Sequence, residues 1–85
     1  MGIKLKTIHL DDFLSEGLIR ESSFRSQLKN INWEEYRNQR VLIKGCASSP
    51  IPTWAYLMLT AELSQVAEHI LYGEPCAAVK VFSKN

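Results

Sequence analysis

The chain has 85 residues, 46% of them hydrophobic, and a formal net charge of +1. That length predicts one small domain spanning 1–85 and burying only about 60–65% of its unfolded surface, so support from a partner subunit, a disulfide or a metal is expected. The apolar content excludes a disordered tail, and the mixed charges leave no basic stripe for nucleic acid or an anionic membrane.

Two cysteines are too few for a disulfide scaffold, and the start Met1-Gly2-Ile3-Lys4-Leu5-Lys6-Thr7 has no apolar stretch of the kind a signal peptide needs. The longest apolar run, Trp54 to Leu59, is far shorter than the roughly 20 residues that span a bilayer. A soluble cytoplasmic protein with reduced thiols is the expectation.

Residues 3–10 alternate, with Ile3, Leu5 and Thr7 on one side and Lys4, Lys6 and Ile8 on the other, as in a half-exposed strand. Asp11-Asp12 predicts a short helical turn, capped by Asp, filled by Phe13 and Leu14 and stopped by Gly17. Ser22 or Ser23 is the expected cap of the next helix, which carries Phe24, Leu28 and Ile31 on one face. Asn32-Trp33-Glu34-Glu35 has the form of a capping box, which predicts a single turn from Trp33 to Tyr36.

Val41-Leu42-Ile43 is continuous rather than alternating, which suits a strand covered on both faces. Gly45 then permits a sharp turn or a close approach. Prolines at 50 and 52 keep the following loop out of helix, and Pro52 suits the first turn of a helix running to about Ala67. That helix is apolar nearly all round in its first half, so it is either deeply buried or part of a subunit interface, with Trp54, Leu57 and Met58 the candidate contacts. A second strand begins at His69 and ends in Gly73-Glu74-Pro75-Cys76, and Val79 to Phe82 alternates as an edge strand.

These elements predict a small single α/β domain. It has a central right-handed β-α-β unit, an N-terminal strand, short flanking helices and a C-terminal edge strand.

The stretch from Val41 to Cys76 concentrates the candidate chemistry. Cys46 and Cys76 each follow the carboxyl end of a predicted parallel strand, where ligands collect in such sheets. Neighbouring strands would bring the two thiols near one metal ion or one disulfide, and the helix after Cys46 would lower its pKa. A transition metal such as zinc would need further ligands, for which Glu74, His9 and Asp11-Asp12 are the candidates. Both cysteines also fit as small buried hydrophobes.

Ser48, Ser49 and Thr53 occupy a strand-to-helix loop, a generic anion location, but the glycines and lysine of a phosphate loop are missing and helix capping is the alternative. The aromatic residues read as core and interface material, and no nucleophile, histidine and acid set emerges.

The motifs Ile43-Lys44-Gly45-Cys46, Pro52-Thr53-Trp54-Ala55-Tyr56 and Tyr72-Gly73-Glu74-Pro75-Cys76 resemble a bacterial family of unknown function whose longer members carry this unit in tandem. The similarity extends upstream through Asp12-Phe13-Leu14, Glu16-Gly17-Leu18-Ile19 and Phe24-Arg25. The resemblance supplies no activity. It implies that a single-copy chain pairs with itself to rebuild the tandem arrangement. The leading expectation is a homodimer with a metal or thiol site at Cys46 and Cys76; a thiol-redox enzyme and a structural or interaction module without ligand are the alternatives.

Overall fold

The computed structural model describes residues 5–45, 50–74 and 77–84. In chain order it contains β1 (Leu5–His9), α1 (Glu21–Lys29), β2 (Arg40–Lys44), α2 (Thr53–Leu63), β3 (His69–Tyr72) and β4 (Val79–Ser83), with short 3-10 turns at Leu10–Phe13 and Trp33–Tyr36. The sheet order is β1-β2-β3-β4. The first three strands are parallel and β4 is antiparallel to β3.

The run Val41-Leu42-Ile43 explains this order. A strand whose three central residues are all apolar takes an inner place in the sheet. Val41 and Leu42 are 0% exposed and Ile43 is 1% exposed. Val41 and Ile43 face the main core, together with Ile8 of β1 and Ile70 of β3. Phe24 and Leu28 of α1 close over that face beside Ala55, Leu59 and Leu63 of α2. Both helices therefore lie on one side of the sheet. Leu42 points the other way, between its register partners Thr7 and Leu71, and is just as well shielded.

The expected central β-α-β unit is present as β2-α2-β3, and β1 lies beside it. α1 is more than a flanking helix. It is the crossover of a second β-α-β unit, β1-α1-β2, that shares the middle strand with the first.

Several local expectations are corrected. The first turn spans Leu10–Phe13 and is entered from His9 without a side-chain cap. Gly17 does not end it; Glu16 (φ 53°) and Gly17 (φ 77°) form a tight reversal closed by paired backbone bonds between Ser15 and Leu18. Two consecutive residues with positive φ make this a hairpin-type turn, and glycine tolerates that conformation best.

α1 starts at Glu21 after Arg20, so Ser22 and Ser23 lie inside the helix and neither is its cap. α2 is entered from Pro52 and stops at Leu63, short of Ala67, because Ser64 to Val66 form a turn. The Asn32 cap is as expected, with its side-chain oxygen accepting from the Glu34 amide at 3.3 Å.

At the amino end of the sheet, the Asn38 amide donates to the Val66 carbonyl at 2.8 Å and the Glu68 amide donates to the Gln39 carbonyl at 2.8 Å. These bonds fix the entrances of β2 and β3 against each other. At the far side the ladder between β3 and β4 slips: Ile70 pairs with Phe82 and Leu71 with Lys80, so Val81 is the extra residue of a bulge. Phe82, opposite the core residue Ile70, packs against the main core.

Phe24 is the centre of the helical layer. It is fully buried, with its ring edge-on to Phe13 at 5.3 Å and to Trp54 at 5.9 Å. Phe24→Ala is expected to lower the unfolding free energy by about 3–5 kcal/mol, a large part of the stability of so small a domain. Urea denaturation followed by circular dichroism measures this directly, and a loss below about 1 kcal/mol would show that the layer repacks without it.

Candidate functional site

Parallel strands place their carboxyl ends together, and two of the predicted site residues, His9 and Glu74, lie at that end of the sheet, with Lys44 between them. His9 ends β1 and is in register with Lys44, which ends β2. The Lys44 ammonium forms an ion pair with Glu74 at 3.3 Å, tying the end of β2 to the segment after β3. The Gly73 amide donates to the Ile43 carbonyl at 3.2 Å, and Gly73 takes φ 122°, which a side chain would strain.

Gly45 makes the close approach expected of it. A Cβ at this position would run into the Tyr56 hydroxyl, so the absence of a side chain lets the first turn of α2 lie against the end of β2. Tyr56 is in turn edge-on to Tyr72 of β3, with ring centres 5.1 Å apart and planes at 86°. Helix and two neighbouring strands are thereby locked together by one glycine and two tyrosines.

Beyond that lock, a groove of about 520 Å³ opens between α2 and the β3–β4 side of the sheet. Ile43, Thr53, Tyr56, Leu57, Thr60, Tyr72 and Val81 line it. Its rim is unusually apolar for a surface, since Leu57 is 64% and Val81 51% exposed.

The predicted interface residues divide between two flanks of α2. Leu57 stands on the groove side, whereas Trp54 packs against Phe24 and Met58 faces α1. Thr53 is the first residue of α2 and its side chain borders the groove, while the cap position belongs to Pro52. Cys46, Cys76, Ser48 and Ser49 lie outside the described residues. Among the described residues no three His, Cys, Asp or Glu side chains come together as a metal cluster. Glu74 has a lysine as its neighbour.

Shifted ionisation is found on the Trp33–Tyr36 turn instead. The Arg37 guanidinium donates to both carboxylate oxygens of Glu34 at 2.6 and 2.8 Å, holding that carboxyl below its usual range and raising Arg37. Burial pushes the Tyr36 hydroxyl up, with the Glu35 charge adding to it, and the Lys6 ammonium lies 5.8 Å from the centre of that ring.

The tyrosine-lined groove is the feature that sequence reasoning missed. Tyr56 and Tyr72 were assigned to core and interface in general. The available signal was the run Thr53, Tyr56, Leu57 and Thr60 along one flank of a helix, beside an edge strand that exposes Val79 and Val81.

Gly45→Ala is expected to destabilise the fold by about 1–3 kcal/mol, because the new methyl collides with the Tyr56 hydroxyl. Adding Tyr56→Phe should recover a large part of that loss. Thermal unfolding of the single and double variants checks the coupling, and purely additive effects would exclude it.

The model of one family, described as a protein of unknown function (DUF2480), matches the chain over residues 3–43 and again over 34–84. The first segment holds β1, α1 and nearly all of β2, and the second holds β2, α2, β3 and β4. Each contains one of the two β-α-β units, in agreement with a family built from repeated units. No curated protein and no solved structure matches the chain. Together the matched segments run from residue 3 to residue 84, and the chain belongs to this family of unknown function, DUF2480.

Proposed function

We propose that this protein is a homodimeric binding protein that associates through the α2–β4 flank and carries Cys46 and Cys76 as a thiol pair. The observation that carries the dimer is Leu57, 64% exposed on a helix, beside a groove lined by Tyr56, Tyr72 and Val81. A projection and a recess next to each other on one surface are self-complementary under a twofold rotation, so each Leu57 fills the groove of the other copy. Burying a leucine in this way contributes about 1.5–3 kcal/mol, and a twofold contact counts it twice.

Lys44 bears on the second half of the reading. Cys46 follows it by two residues, and an ammonium near that strand end favours thiolates while opposing a bound cation.

Sedimentation velocity between about 1 and 100 μM should show a dimer of the natural chain, and Leu57→Asp should sediment as a folded monomer. A natural chain that remains monomeric at the upper concentration removes the dimer. For the thiols, alkylation by iodoacetamide near pH 7 should be faster than that of free cysteine and should slow several-fold in Lys44→Gln. Rates equal to free cysteine in both proteins would remove the reactive thiol, and stoichiometric zinc in the untagged protein would restore the metal instead.

A further inference from the structure

A second groove lies on the opposite flank of α2. Because β1, β2 and β3 are parallel, the crossover helices α1 and α2 run in the same direction, and their last turns lie side by side. Between them is a recess of about 340 Å³ whose apolar surface comes from Leu28, Trp33, Met58 and Ala61. That volume is within the range of small-molecule sites, and an indole with a thioether makes an adaptable apolar wall.

The two rims carry opposite charge. Lys29 stands in the last turn of α1 and Glu62 in the last turn of α2, and both border the recess. Among the described residues neither has an ion-pair partner, so they do not close the recess by pairing across it. Arg25, one turn earlier in α1, has its Nε engaged by Glu21 at 2.7 Å. An apolar floor between one ammonium and one carboxylate is complementary to a molecule with the reverse order of charges and an apolar body.

We propose that this recess binds a small zwitterion with an apolar side chain, of the class of a free aliphatic or aromatic α-amino acid. Its carboxylate lies toward Lys29, its ammonium toward Glu62, and its side chain rests on Trp33 and Met58. The recess shares no lining residue with the Leu57 groove, so it stays open whether or not the chain dimerises.

The test is nitrogen–proton NMR of the full chain titrated with L-phenylalanine, N-acetyl-L-phenylalanine and phenethylamine. L-phenylalanine should move the Trp33 indole N–H and the amides of the two last helical turns, with a dissociation constant of about 1 mM or tighter. The probe lacking the ammonium and the probe lacking the carboxylate should each bind roughly tenfold more weakly, as should L-phenylalanine to Glu62→Gln and to Lys29→Gln. Both substitutions are at exposed positions, and the unperturbed remainder of the spectrum reports an intact fold. No movement of the Trp33 signal up to about 10 mM, or equal binding of all three probes, would overturn the proposal.

Discussion

Shielding of β2 on both of its faces is the constraint on which the rest of the structure depends. Val41 and Ile43 need a helical layer above them, and Leu42 needs strand neighbours on either side. A single crossover helix would cover only part of one face. Sharing β2 between two β-α-β units brings α1 and α2 over the same side and satisfies both demands with few residues. The cost is a thin molecule. With one helical layer and one sheet, any apolar side chain that misses the central interface is left at the surface, as Leu57 and Val81 are.

α2 expresses this economy most clearly. Ala55, Leu59 and Leu63 recur along its buried line and attach it to the sheet. Its remaining apolar residues fall to either side. Trp54 and Met58 help to hold α1, and Leu57 reaches away from it. A helix that is apolar all round is in this way divided into one seam of core and two flanks of different character: one bounded by tyrosines and uncharged, the other bounded by an ammonium and a carboxylate.

The parts of the fold legible in the sequence were those governed by burial. An uninterrupted Val-Leu-Ile run and a helix spacing of Phe24 and Leu28 leave little freedom, and both elements lie where their patterns put them; the alternation of β4 is broken at Val81, which sets Lys80 and Phe82 opposite the oppositely facing Leu71 and Ile70. Helix ends were less legible, since Ser22 and Ser23 are good caps in isolation but the chain enters α1 two residues before the first of them, from Arg20. The reversal at Glu16-Gly17 escaped notice because a glycine after a polar run suits a helix stop as well as a hairpin turn. Of the candidate site, the meeting of His9, Lys44 and Glu74 at one sheet end followed from topology. The grooves did not, because each is assembled from elements far apart in the chain. No local spacing reports that Leu57 and Val81, or Lys29 and Glu62, will share a surface.

The bulge at Val81 has a consequence for how this chain can vary. Val81 has no partner of its own in the ladder, while Phe82 keeps Ile70 and Lys80 keeps Leu71. Loss of one residue there would close the bulge and leave both pairs in place, whereas loss of a second would turn the phenylalanine to the opposite face of the sheet. β4 therefore has one residue of slack in its length, held at the bulge. Single-residue deletions in relatives should be found at this point of β4 and not in β2, which is held in unbroken register by a neighbour on each side.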